Sequence, residues 1–174
     1  KKPAASPSTK PAPVDPFAEK SLVATFTELI RRAATSMPPD VLAAIEAARE
    51  REDEGSVARE TLGVLLENSR LAAATSRPVC QDTGMPLFEV AAPRGVSIRA
   101  IEKAAAKATE VATASGYLRP NSVDGLSGKN TGNTPGRGMP IVHVHEHARA
   151  GLKADLILKG GGCENCNAQY AVPV

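Results

Sequence analysis

Apolar residues recur at helical spacing through the first third of the chain. Leu22, Phe26, Leu29, Ile30 and Ala33 predict one helix, with Asp15-Pro16 as its cap and first turn and Pro38-Pro39 as its stop. Leu42, Ile45 and Ala48 mark a second helix, which runs into a charged, solvated stretch from Arg49 to Glu54 and breaks at Gly55. Ser56 caps a third, with Leu62, Leu65, Leu66 and Ser69 on one side, and Arg77-Pro78 then forces the chain to extend. Beyond that point the period changes. Residues 87–91 read as a short strand, residues 97–115 as an Ala-rich helix closed by Gly116, and residues 141–147 and 152–158 as two further strands. Gly, Asn and Thr fill the joints, and residues 126–138 form a loop by composition. The expected fold class is α+β with an α/β-like part: an N-terminal helical layer followed by a small mixed sheet with helices.

Composition refines this outline. Residues 1–16 are rich in Pro, Ala, Ser and Lys, have almost nothing to bury and read as a disordered tail, leaving 17–174 as one folded domain. Three of the 21 basic and one of the 19 acidic residues fall in that tail, so the folded part is balanced at 18 of each. Without a concentrated basic face, and with aromatics at 3%, the chain is not expected to bind nucleic acid. No apolar run reaches the roughly 18 residues that a membrane span needs, and the N-terminal lysines precede no apolar segment of a secretory signal. Three cysteines cannot complete a disulfide framework; the count favours a reducing, cytoplasmic setting and metal or free-thiol chemistry.

Chemistry concentrates in a few places. Val79-Cys80-Gln81-Asp82-Thr83-Gly84 sets a soft metal ligand beside an amide and a carboxylate, which would be costly in a core without partners, and ends in a turn. Arg119 can clamp a carboxylate with two parallel hydrogen bonds, and the segment from Gly128 to Pro135, rich in Gly, Asn and Thr, can bring backbone amides to the same anion. After the last strand, Gly160-Gly161-Gly162 permits close backbone approach to a ligand. Cys163 and Cys166 follow as a Cys-x-x-Cys pair, and with Cys80 they make three thiolates, the number that an iron–sulfur cluster with one open iron needs. His143, His145 and His147 share one strand face; a three-His zinc site is the sharper reading, and a surface or interface role is the one adopted.

Cys80-Gln81-Asp82-Thr83-Gly84, followed in order by Arg119, the Asn130-Thr131-Gly132 loop and the triple-glycine loop, closely resembles the class I, iron–sulfur fumarate hydratase and tartrate dehydratase family, in its alpha subunit or N-terminal catalytic domain. The resemblance covers about residues 20–170. It implies a hydro-lyase that adds water to, or removes it from, a small dicarboxylic acid such as fumarate/malate or tartrate. It further implies a [4Fe–4S] cluster on Cys80 whose open iron is a Lewis acid, with Gln81 and Asp82 orienting substrate and Arg119, Gly161 and Gly162 meeting its carboxylates. In that family the other cluster cysteines lie further downstream than Cys163 and Cys166, so the domain is expected to be incomplete at its C-terminus. The general base is expected from a beta subunit or C-terminal catalytic domain, the assembly to be a homo-oligomer, and this chain alone to be inactive. The competing class is a non-catalytic module that binds zinc or iron through Cys80, Cys163 and Cys166, or an anion through the glycine loop alone.

Overall fold

The computed structural model describes residues 15–82, 85–120, 122–124, 126–130 and 138–160. Nearly all of the expected tail lies outside these residues. Among the described residues four helices and three strands follow in the order α1 (Glu19–Thr35), α2 (Pro39–Arg51), α3 (Val57–Thr75), β1 (Met85–Pro93), α4 (Ile98–Ala114), β2 (Ile141–His147) and β3 (Lys153–Lys159). This is the expected α+β arrangement of a helical layer followed by a small mixed sheet.

α1 buries Leu22, Phe26, Ile30 and Ala34, a strict every-fourth-residue stripe, so Ala34 and not Ala33 faces the core. The helix also starts later than the sequence predicts. Asp15 does not cap it; its carboxylate accepts from the Phe17 amide (2.9 Å) and its carbonyl from the Ser21 hydroxyl (2.9 Å), an Asx-type turn that leads the chain in. Ser56 and Ser97 cap α3 and α4 with their hydroxyls, accepting from the amides of Arg59 (3.1 Å) and Ala100 (3.3 Å). α2 takes Pro39 at its first turn and has no fully buried residue. Leu66 and Ser69 of α3 are buried as its stripe predicts, whereas Leu65 is 41% exposed. The run from Arg49 to Glu54 is exposed throughout.

The sheet has the order β2-β1-β3, with β1 parallel to β2 and antiparallel to β3. Strand β1 alternates without a break. Pro86, Phe88, Val90 and Ala92 point into the core and Leu87, Glu89 and Ala91 point away. It outruns the predicted 87–91 because each of its prolines has a single neighbour. Pairing with β2 begins only at Leu87, beyond Pro86, and pairing with β3 ends at Ala91, before Pro93. β2 matches its predicted bounds, while β3 is displaced by one residue.

α1 and α4 cover one face of this sheet. Phe26 and Phe88 meet with ring centroids 5.2 Å apart, and Ile101, Ala104, Ala105, Ala108 and Ala112 complete the core. Alanine at four of these positions lets α4 approach α1 and the sheet closely. The opposite face is open among the described residues. Cross-strand rows there run Ile141, Leu87, Ile157 and then His143, Glu89, Asp155, with Ile157 55% exposed. His143 Nδ1 lies 2.6 Å from Glu89 Oε1, and the backbone amide of Arg149 donates to His147 Nδ1 (3.0 Å). The histidines thus occupy surface positions, and no group of three potential ligands is placed to hold a metal among the described residues. No described helix is long and apolar enough to cross a membrane.

Candidate active site

The topology gathers the chemistry of this chain at one end of the sheet. Parallel β1 and β2 both start there, antiparallel β3 finishes there, and Met85 pairs with Lys159 while Leu87 pairs with Ile141. The segment ending in Asp82, the loop that enters β2 and the first glycine of the triple-glycine loop therefore meet at the same edge. α4 spans the parallel pair, so it ends beside them as well.

Two helix exits deliver the side chains. At the end of α4 the amide of Gly116 donates to the Thr113 carbonyl (3.0 Å) and that of Tyr117 to the Ala112 carbonyl (2.9 Å), a Schellman closure with Gly116 at φ +77°. Leu118, 5% exposed, then plugs the core and fixes where Arg119 leaves it. α3 ends in a similar way. Ser76 takes φ +50°, the one positive value at a non-glycine among the described residues, and the Arg77 amide donates to the Ala72 carbonyl (3.0 Å).

Beyond Arg77 the chain is tied twice. The Val79 amide donates to the Ala34 carbonyl at the end of α1 (2.9 Å), and Asn68 Nδ2 of α3 donates to the Val79 carbonyl (2.8 Å). Backbone bonding on both sides of Val79 fixes Cys80, the next residue, while its thiol stays exposed. Replacing Asn68 by Ala should cost about 1 kcal/mol, the net worth of one such bond, and speed hydrogen exchange at the Val79 amide. An unchanged exchange rate would show that Ala34 holds the segment alone.

A cleft of about 510 Å³ opens between these exits. Cys80 and Gln81 from one sequence motif and Arg119 from another line it together, and so do Asn68, Arg77 and Gly116. Asp82 is half-buried and does not line it. Gly161, Gly162, Cys163 and Cys166 lie outside the described residues; Gly160, next to them, is buried. Arg77 and Asn68 escaped the sequence reading because neither sits in a recognisable motif, and only the return of α4 makes them neighbours of Arg119.

The segment after Arg119 is also ordered by local bonds. Asp124 Oδ1 accepts from the amides of Leu126 and Ser127 and from the Ser127 hydroxyl, which lowers the carboxyl pKa below its ordinary value, chiefly through Ser127. Val123 and Asn130 form an isolated bridge, and Asn130 Nδ2 reaches back to the Pro120 carbonyl (2.6 Å). The first residue of the Asn-Thr-Gly loop is thereby drawn towards the Arg119 turn.

For an iron–sulfur cluster, the described part of the cleft fits as a partial donor set. It supplies one exposed thiol beside cationic and amide groups and no carboxylate among the lining residues. A cluster with one open iron would need two more thiolates, and Cys80 is the one cysteine among the described residues.

Residues 23–174 match the sequence family described as fumarate hydratase (Fumerase). The chain is 41% identical over 154 residues to a Geobacillus stearothermophilus protein named provisionally as a class I fumarate hydratase, covering 88% of this chain and 30% of that one. It is 31% identical over 150 residues to a Methanocaldococcus jannaschii protein named provisionally as L(+)-tartrate dehydratase subunit alpha, covering 81% and 51%. With the L(+)-tartrate dehydratase subunit alpha of Escherichia coli K12 it shares 30% identity over 164 residues, covering 91% and 51%. The chain thus spans about half, or less, of the length of these curated relatives.

Proposed function

This chain belongs to the fumarate hydratase family, and on that footing we propose that it forms one wall of a hydro-lyase site for a small dicarboxylic acid of the fumarate/malate or tartrate kind. The observation that carries this reading is the shared cleft. Cys80, Gln81 and Arg119 come from two different helix exits and line one space, beside the edge where the glycine loop begins.

In this site Cys80 holds a [4Fe–4S] cluster, with Cys163, Cys166 or cysteines beyond this chain as its further ligands. When bound, the cluster would supply a Lewis-acid iron. The chain's own residues do the rest of the binding. Arg119 pairs with one substrate carboxylate through its planar fork, and the amides of Gly161 and Gly162 receive carboxylate oxygens. Gln81 can donate to and accept from a substrate hydroxyl; Asp82, the next residue and not a lining residue of the described cleft, is proposed to help orient substrate in the complete site. Exclusion of water would strengthen all of these contacts. In this open cleft, closure needs a second body, either a beta subunit or a C-terminal domain, which also brings the general base. The assembly is proposed to be a cytoplasmic homo-oligomer of such units.

The test is an anaerobic reconstitution of the complete enzyme with iron and sulfide, assayed on fumarate, malate and L(+)-tartrate. Turnover of at least one of them, and little turnover by this chain alone, is the expected result. A fully loaded enzyme that turns over none of the three would refute the reading.

A further inference from the structure

We infer that Arg77 is a second anion-binding residue of the cleft, taking the carboxylate of a dicarboxylic ligand that Arg119 does not hold; this deepens, and rests on, the dicarboxylate reading above. Arg77 and Arg119 line the same 510 Å³ space, reaching it from the exits of α3 and α4. Among the described residues no Asp or Glu lines that space. Among the described residues nothing accepts a hydrogen bond from the Arg77 side chain or pairs with its charge. Several other exposed arginines also lack partners, and Arg77 is itself exposed. Arg77 differs in where it is seated. Its guanidinium lies against Gly116, so close that a Cβ at residue 116 would collide with Nη1. The missing side chain of Gly116 thus forms a notch that receives the guanidinium at the C-terminal end of α4, where the helix dipole favours a cation.

A guanidinium presents five donors in a rigid fork. Held in a notch without a carboxylate of its own, that fork is preorganised for an anion from outside. Arg119 brings a second fork to the same cleft, and two forks match a ligand with two carboxylates and select it over a ligand with one. The sequence hid this because Arg77 precedes a proline in an unremarkable loop and lies 39 residues before Gly116.

Calorimetric titration of the intact protein with succinate and butyrate separates the alternatives, since the two share a carbon count and neither undergoes hydration. Wild type should bind succinate more tightly than butyrate. Arg77→Ala should weaken succinate at least about tenfold, the usual worth of one charged hydrogen-bonding group, and leave butyrate within about twofold. Arg77→Lys should recover part of the loss, and both variants should keep the wild-type melting temperature. Arg77→Ala binding succinate as wild type does, while Arg119→Ala has lost it, would overturn the role of Arg77 and leave the dicarboxylate site standing. A wild-type protein that binds neither acid would overturn both. A loss of succinate that merely tracks a fall in melting temperature would place Arg77 among structural residues and overturn the inference alone.

Discussion

Phe88→Ala should remove about 3–5 kcal/mol of folding stability, the usual cost of deleting a buried phenylalanine ring from a core that can only partly collapse around the void. Phe88 has no exposed surface, lies on the central strand and packs its ring against Phe26 of α1. It therefore joins the sheet to the helix layer at the one strand that both other strands depend on. Set against a typical total of about 5–15 kcal/mol, this loss should move the denaturant midpoint sharply while leaving the slope of the transition unchanged. Phe88→Leu, which keeps most of the volume, should cost less than about 1.5 kcal/mol. Equal midpoints for the Ala and Leu variants would mean that the apolar volume restored by Leu contributes nothing, and would overturn the cavity account of the loss.

Cys80→Ser should have the opposite profile: no measurable change in the stability of the metal-free protein and a complete loss of the proposed chemistry. The thiol is exposed, and surface substitutions of this kind stay within about 0.5 kcal/mol. A hydroxyl is a poor replacement for a soft thiolate ligand, so iron and sulfide retained after anaerobic reconstitution should fall to background. Loss of several kcal/mol of Lewis-acid stabilisation lowers the rate about a thousandfold or more. Iron content, sulfide content and turnover measured on one preparation check this together. A Cys80→Ser enzyme that retains its iron and its rate would remove Cys80 from the ligand set.

Much of this architecture is legible from residue pattern because local and global preferences agree. β2 alternates and is bounded by glycine and proline on one side and a turn on the other, so its limits are plain. α4 has a serine cap, a small-residue stripe and a closing glycine, and each of them does in the structure what the pattern predicts. Boundaries were lost where long-range pairing overrides local preference. Pro86 and Pro93 look like strand breakers until the register shows that each faces one partner only. Asp15 looks like a helix cap until its carboxylate is found bonding within the preceding turn.

The candidate site divides in the same way. Cys80 and Gln81 stand out because a soft ligand and an amide are adjacent in one motif, Arg119 stands out as a carboxylate clamp within the family resemblance, and the cleft unites them. Asn68 and Arg77 carry no such mark. Their proximity to Arg119 is created by three-dimensional closure, through α1, which holds Val79, and α4, which returns Gly116 to the end of α3.

The notch at Gly116 ties two distant positions into one hereditary unit. A side chain at 116 must evict the guanidinium of Arg77, and it must also adopt a left-handed backbone that costs most residues about 1–2 kcal/mol. Once Arg77 is replaced by something smaller, the steric half of that restriction disappears and only the backbone half remains. Drift at residue 116 is therefore conditional on the history of residue 77. A substitution at 116 costs both the seat of the guanidinium and the backbone strain in this sequence, and only the strain in a descendant that has already lost the arginine.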